Sequence, residues 1–479
     1  MLNKGMQNNV KLVFNEAVEF GSLYEFLKEV DNDFPVPLSA KTDLKAYAEK
    51  LLLKADLVAY VDAAGAVRGL AAGYIRSSVG PLSYLSMLAI SRDLRGVHAG
   101  GKLVARYLSE AEKAGLLGVH LYADNGNLAA LKTYDDLGFV KEIFSVEPRP
   151  NDVHYLKLLN KTVLLTAIGS FSASCAIEKL RASGFRVVGC DIYPKEWVAN
   201  SLKVDSFYQV PLASAEQDYV SALCEIIHKE KIGYIIPLTD CEVDALCSRR
   251  DVVDALVCMS KNESLRLCRD KLACCKHLAP NFASSVIPTE CLADVDADIL
   301  DYPVVCKPLN GRSSEGLFEA DSKWHLENAM ADINAAHYCV QPKLEGKIVT
   351  VDVVRDADAG FSIAIPREEL LRTKNGAGTS VRVFSDTKLN DLSIKIASAL
   401  DVKGCVNMEF IVGQDGDAHF LECNPRFSGG VEFSCMAGYD CVINHIRCFL
   451  GLLPDSLVQY GELFIARSYE AHVTSRKNC

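Results

Sequence analysis

The sequence predicts a multidomain chain of α/β and α+β character, and three observations carry that reading. At 479 residues the chain is long enough for about three domains with cores of their own. Strand-like apolar runs alternate with helical patterns along most of its length. Cysteine use changes abruptly: all 18 cysteines lie between Cys175 and Cys479, and residues 1–174 have none. The expected modules are 1–160, 161–265 and 266–479. No Cys-x-x-Cys pair occurs, which weakens zinc and dithiol-redox readings. Free, buried thiols in a reducing cytosol are the expectation, with Cys274-Cys275 on a helix.

Composition narrows the function classes. The net charge of −11 provides no basic excess to neutralise a phosphate backbone, so no nucleic-acid partner is expected. Local arginines can still bind small anions. The opening MLNKGMQNNVKLVF lacks an apolar core long enough for a signal peptide. No run of about 18 apolar residues suggests a membrane span. A cytoplasmic protein with no membrane partner is expected, and a homo-oligomer is compatible with the sequence.

In the first module, Leu57 to Val61 and Val67 to Tyr74 read as strands joined by the turn Asp62-Ala63-Ala64-Gly65. Leu82 to Ile90 is a further strand. Ser91 to Lys102 then opens a helix whose apolar stripe is Leu103, Val104, Tyr107, Leu108 and Ala111, while Arg106, Glu110 and Lys113 face away. A strand, a glycine-bearing loop and a helix start together leave backbone N–H groups for an anion, with Arg92, Arg95 and Lys102 adding charge. Val153 to Leu159 is the expected last strand. The run Arg95-Gly96-Val97-His98-Ala99-Gly100-Gly101 resembles the pyrophosphate loop of GNAT-type N-acetyltransferases, Arg/Gln-x-x-Gly-x-Gly/Ala. Arg95 and Gly100 fit, and His98 stands at the middle glycine. Asn127 to Tyr134, followed by Gly138-Phe139, resembles the family's second signature. The resemblance implies that Arg95, Gly96, Gly100, Gly101 and Asn127 hold acetyl-CoA. It also implies that Tyr134 protonates the departing thiolate, for which a phenol with a pKa near about 10 is a suitable acid.

The second module opens on Val163 to Gly169, an apolar run suited to a buried parallel strand. A helix with Ile177 and Leu180 inward, a strand Arg186 to Asp191, and Tyr234 to Pro237 continue the alternation. No Gly-x-Gly-x-x-Gly is present. This stretch resembles the small α/β domain that precedes the grasp in ATP-grasp enzymes, which implies a part in holding a carboxylate substrate.

The third module centres on Gly404 to Gly430. Two strand-like runs, Val406 to Val412 and Ala418 to Leu421, flank Gln414-Asp415-Gly416-Asp417, a turn suited to glycine's freedom at positive φ. The hairpin carries Glu409 on one strand and Glu422 on the other. Glu422 and Asn424, two apart, share a face. Hard oxygen donors of this kind suit Mg²⁺ (or Mn²⁺) completed by phosphates, and Arg426 offers a permanent cation beside it. Upstream, Lys271 heads a helix after Arg269-Asp270. Tyr302 to Pro308 is a strand presenting Lys307, and Asn310 to Gly316 is a glycine- and serine-rich loop able to cover phosphates. Thr350 to Arg355 and Phe361 to Ile365 are strands. Arg367 to Val383, with Arg372 in it, is basic and glycine-rich, as an exposed loop would be. Tyr439 to Leu450 is a packing helix.

Glu422-Cys423-Asn424-Pro425-Arg426, with Asn407-Met408-Glu409-Phe410, resembles the metal hairpin of the ATP-grasp superfamily, in the branch of carbamoyl-phosphate synthetase large subunits and amino-acid ligases. The resemblance implies ATP held by Lys271, Lys307, Gly311, Ser313, Ser314, Gly316, Gln341 and Leu344. Arg312 stands where serine is common, and Ile348 where a ribose-binding glutamate is frequent. It further implies an ADP-forming ligase joining a small carboxylate, such as an amino acid, to an amine through an acyl-phosphate, with Arg372 and Arg426 at the reacting groups. Fusion to the first module suggests a bifunctional enzyme. A ligase whose first module is inactive or senses acetyl-CoA stays open, and the intact hairpin disfavours a protein acetyltransferase with the grasp as scaffold.

Overall fold

The structure is a computed structural model that describes residues 10–16, 18–78, 80–144, 149, 151–311, 315–374 and 376–476. The chain forms two compact units, Met1–Lys161 and Thr162–Cys479. Among the described residues no helix is long and apolar enough to cross a membrane.

The first unit is a twisted sheet with strands in the order Val10–Phe14, Asp56–Asp62, Val67–Tyr74, Leu82–Ile90, Gly118–Asp124, Asp152–Leu158, Val140–Lys141. The pair Leu82–Ile90 and Gly118–Asp124 is parallel, and its register runs from Leu82↔Gly118 to Tyr84↔His120 before the strands part. One face packs on helices Phe20–Val30 and Leu44–Lys54 through Leu23, Phe26, Leu27 and Leu51. The other packs on helix Ala99–Lys113, whose Leu103, Val104, Tyr107, Leu108 and Ala111 are all buried. That is the stripe read from the 3.6-residue period.

Among the described residues the second unit holds three sheets. A parallel sheet comes first, ordered Ser206–Gln209, Arg186–Asp191, Thr162–Leu165, Tyr234–Ile236, Leu256–Val257. Its apolar strands are covered by helices such as Ala173–Ala182 and Glu216–Glu230. An antiparallel four-stranded sheet follows: Glu290–Cys291, Tyr338–Pro342, Val304–Pro308, Phe318–Ala320. The largest is six-stranded and antiparallel, running Ala418–Asn424, Gly404–Val412, Lys347–Asp356, Phe361–Arg372, Gly378–Val383, Leu463–Ala466. Arg367 to Val383 is therefore mostly a hairpin rather than a loop. The closing strand Leu463–Ala466 has only four residues, too few for its period to stand out in sequence. The described cysteines are free thiols, most of them buried.

Local chemistry sets the helix starts that matter here. Thr239 and Glu242 form a reciprocal capping box that starts helix Asp240–Ser248. Asp270 accepts from Ala273 N at 2.9 Å and starts helix Lys271–Phe282. Gly416, at φ 85°, closes the turn between the two strands of the acidic hairpin.

Candidate active site

One cavity of ≈ 1090 Å³ gathers most of the singled-out residues of the second unit, room for a nucleotide and a second small ligand. On its wall Glu409 stands opposite Glu422, and Asn407 opposite Asn424. The ladder shifts between Glu409 and Phe410, which pair with Glu422 and Phe420, so Leu421 is an extra residue on one strand. Residues two apart normally share a face. The bulge lets Phe420 pack on Phe410 in the core, ring centroids 5.8 Å apart, while Glu422 faces the cavity.

The two carboxylates are not equivalent. Burial and the facing Glu422 push Glu409 above its ordinary range, against the pull of Arg372. Burial opposes ionisation of Glu422 too, but Lys271, Asn424 and Lys307 hold it below its ordinary range. Asn424 Nδ2 donates to Glu422 Oε1 at 3.0 Å, which leaves its own Oδ1 for a cation. Among the described residues no three His, Cys, Asp or Glu side chains gather at metal spacing. The donor set is two carboxylates and an amide oxygen, one of the carboxylates destabilised by its neighbour. That set fits a divalent ion that takes few protein oxygens and completes its shell with phosphate.

Lys271 is buried and donates to Gly311 O at 2.8 Å, with Glu422 Oε2 at 3.2 Å. Lys307, also buried, is pushed below its usual value by burial. Gln341 is buried and donates to Thr289 Oγ1 at 2.7 Å. Leu344 and Ile348 line the cavity, whereas Glu345 is exposed and not part of its wall. Gly311 and Gly316 fold over Pro308, and Gly316 needs its glycine: φ is 73° and a Cβ would stand 2.9 Å from Pro308 Cγ. Arg312, Ser313 and Ser314 lie outside the described residues.

The expected free cations are committed. Arg426 donates from Nε and Nη2 to Asp240 Oδ1 and Oδ2 at 2.9 and 2.6 Å, and from Nη1 to Phe427 O at 3.0 Å. Despite burial, Arg426 holds Asp240 below the usual carboxylate range. Arg426 is thus a neutralised fork with N–H groups to spare, not a lone positive charge. Arg372 donates to Glu409 Oε2 at 3.0 Å and to Gly376 O at 2.7 Å. Sequence reading missed Asp240, Arg367 and Glu369. The Thr239-x-x-Glu242 box marks Asp240 as the first residue of a helix, but nothing local announces its partner 186 positions away.

In the first unit, Gly96 has φ 80° and His98 φ 58°. The position where the motif has its middle glycine therefore does take a left-handed backbone, here at the cost of carrying a side chain. Gly100 is buried against Ile90, whose Cδ1 would stand 2.9 Å from an added Cβ, while at Gly101 the nearest atom would be 4.0 Å away. Arg95 is paired with Asp33 rather than free. Asn127 caps helix Leu128–Asp136, accepting from Ala130 N at 3.1 Å. Tyr134 is buried against Phe139 and Tyr155, and burial pushes its phenol above the usual range, so it stays protonated.

Comparison with known proteins finds a family model in each of the two units. Residues 335–468 match the family described as "ATP-grasp in the biosynthetic pathway with Ter operon", and residues 23–139 match the acetyltransferase (GNAT) family. The chain carries a GNAT domain and an ATP-grasp domain. Similar solved structures include the biotin carboxylase of Campylobacter jejuni in a β-γ-ATP complex, at 19% identity over 62% of this chain and 72% of that one, TM-score 0.53. The L-amino acid ligase of Bacillus licheniformis is 16% identical over 62% and 75%, TM-score 0.51. The biotin carboxylase domain of Hydrogenobacter thermophilus 2-oxoglutarate carboxylase, solved with MgADP and bicarbonate, is 19% identical over 63% and 71%, TM-score 0.51. At these identities the likeness is one of fold.

Proposed function

We propose that the ATP-grasp unit is an ADP-forming carboxylate–amine ligase and that the GNAT domain transfers acetyl from acetyl-CoA to an amine. The carrying observation is that Lys271, Lys307, Glu409, Glu422, Asn424 and Arg426 all line one cavity. Lys271 and Lys307 orient the ATP phosphates as buried cations whose positions are set before the ligand arrives. Glu409, Glu422 and Asn424 would hold Mg²⁺ (or Mn²⁺), which when bound screens charge on the β- and γ-phosphates. A substrate carboxylate attacks the γ-phosphorus, ADP leaves, and the acyl-phosphate is captured by an amine with loss of phosphate. Arg426, held in place by Asp240, presents its remaining N–H groups to the transferring group. Residues 161–265 contribute the Asp240 side of the cavity and are assigned to holding the substrate, with 266–479 as the grasp.

The test is ADP and phosphate release from Mg-ATP across pools of amino acids and small carboxylates, each with and without acetyl-CoA. Pool-dependent release supports the ligase. Silence in every pool, together with no ATP binding by titration, would contradict it.

The pairing of Arg95 with Asp33 and the capping duty of Asn127 engage two of the implied coenzyme contacts within the domain, which favours a second reading of the GNAT domain as catalytically inactive. Acetyl transfer to any amine supports catalysis, absence of both transfer and coenzyme binding supports the inactive domain, and binding without turnover would make it a sensor of acetyl-CoA.

A further inference from the structure

The strand Phe361–Arg372 carries a carboxylate with one oxygen that no group among the described residues serves. Glu369 accepts Arg367 Nε at 3.2 Å through Oε1. Its side chain is only 3% exposed, yet among the described residues Oε2 has no hydrogen-bond partner. Arg367 is occupied on its other side by Asp352, 2.6 Å from Nη1. A carboxylate oxygen can only accept, so a buried one left bare bears its full desolvation cost until a donor arrives. Glu369 lines the cavity of the ligase unit, so the donor can come with a ligand.

Two backbone features hold Glu369 there. The ladder to Gly378–Val383 shifts between Glu369 and Leu371. Without that bulge, Glu369 and Arg372 would point to opposite faces. With it, Arg372 reaches Glu409 while Glu369 stays on the same cavity wall. Across the ladder, any Cβ at Gly378 would overlap Glu369 Oε2. The carboxylate has room only because that position has no side chain.

A second bare polar atom lies on the same stretch of wall. Ser428 is 4% exposed, lines the cavity, and its Oγ has no partner among the described residues. The residue after it, Gly429, abuts the residue before Gly378: a Cβ on Gly429 would sit 3.7 Å from Ala377 Cβ and 3.7 Å from Phe171 Cβ. Phe171 is 40% exposed and also lines the cavity.

We propose that Glu369 and Ser428 form a subsite for an α-amino acid. The ligand's ammonium donates to Glu369 Oε2, the Ser428 hydroxyl donates to its carboxylate, and its side chain faces Phe171. The assignment rests on the ligase reading of the same cavity and names that ligase's acid substrate as one bearing a free α-amino group.

The test is calorimetric titration of the full-length protein, with Mg²⁺ and a non-hydrolysable ATP analogue present. Each common amino acid is compared with its des-amino analogue, for example L-phenylalanine with 3-phenylpropanoate. At least one amino acid should bind about tenfold or more tighter than its analogue. Glu369→Gln should remove most of that preference while binding the ATP analogue as wild type does, which reports that the cavity is intact. Gly378→Ala, which displaces the carboxylate, should do the same. Equal binding of the paired ligands, preference surviving in Glu369→Gln, or no amino acid binding at all would each overturn the subsite. Release of ADP with des-amino acids would leave the ligase standing and remove the subsite. Glu369-dependent amino-acid binding with no ADP from any acid would leave the subsite and remove the ligase.

Discussion

Glu422→Gln separates a catalytic from a structural reading of the acidic hairpin, because its structural costs nearly cancel. The substitution loses the 3.2 Å ion pair from Lys271. A charge-assisted bond is worth about 1.5–3 kcal/mol, and Glu422, a quarter exposed to the cavity, should realise about 1–2 kcal/mol of that. It keeps an acceptor for the Asn424 amide. It also removes the repulsion between Glu422 and Glu409, which stand opposite each other in the ladder. Like charges on directly opposed strand residues, typically about 5 Å apart at Cβ, repel by about 3 kcal/mol at an effective dielectric of about 20, and Arg372 already offsets part of this. The net change in folding free energy is within about 1 kcal/mol, which shifts the melting temperature by no more than about 3 °C. Loss of a carboxylate proposed to hold Mg²⁺ should nonetheless lower ADP release by about 10²-fold or more. The assay pairs a thermal melt with coupled ADP detection. Mg²⁺ plus an ATP analogue at about 100 times its Kd should stabilise wild type by about 2.7 kcal/mol and the variant far less. A variant that melts more than about 5 °C lower would show that Glu422 is structural, and one that retains turnover within about tenfold would show that it does not hold the metal.

Asp240→Ala strands the Arg426 guanidinium in a buried site, so the ligase unit should lose about 3 kcal/mol in a denaturant melt and kcat should fall more than KM rises. Tyr134→Phe should leave the melt of the GNAT domain unchanged while lowering kcat for acetyl transfer by about 10²-fold, measured by thiol release. His120 Nδ1 and His154 Nε2 are hydrogen-bonded at 2.9 Å beneath Phe144 and beside Tyr84 and Tyr122. Burial lowers His120 to about 4 and His154 to about 3, below the unfolded value. Their contribution is therefore fully present above about pH 6.5 and is lost as pH falls toward 4. His120 alone should account for on the order of 3 kcal/mol of that loss, and His120→Asn should flatten the fall in melting temperature between pH 6.5 and 4.

How far the site was legible in advance depended on sequence distance. Glu409, Glu422 and Asn424 sit in one short hairpin whose turn residues and alternation are written locally, so their meeting could be expected from the chain alone. The stripe of helix Ala99–Lys113 was legible for the same reason. The bulges at Leu370 and Leu421 were not, because one extra residue leaves no mark in a hydrophobic pattern. Arg426 and Arg95 read as free cations because Asp240 and Asp33 are brought to them only by tertiary folding. Nothing local in the sequence singles out Glu369. Its buried, half-satisfied state depends on Gly378 in the next strand and on Arg367 being already engaged. Asn127 shows a further limit, since a residue that suits a cofactor arm suits a helix N-cap equally well.

In the proposed reaction a carboxylate attacks the γ-phosphorus of ATP at the wall formed by Lys271, Lys307 and the acidic hairpin. The most direct test is oxygen transfer. The protein is incubated with Mg-ATP, an amine and the accepted acid labelled with ¹⁸O in its carboxylate, and the released phosphate is analysed by mass spectrometry. One labelled oxygen per phosphate, matched by one amide formed, is the predicted result, with both formed about 10²-fold or more slowly by Glu422→Gln. Phosphate released without label, or amide formed without ADP, would contradict the account.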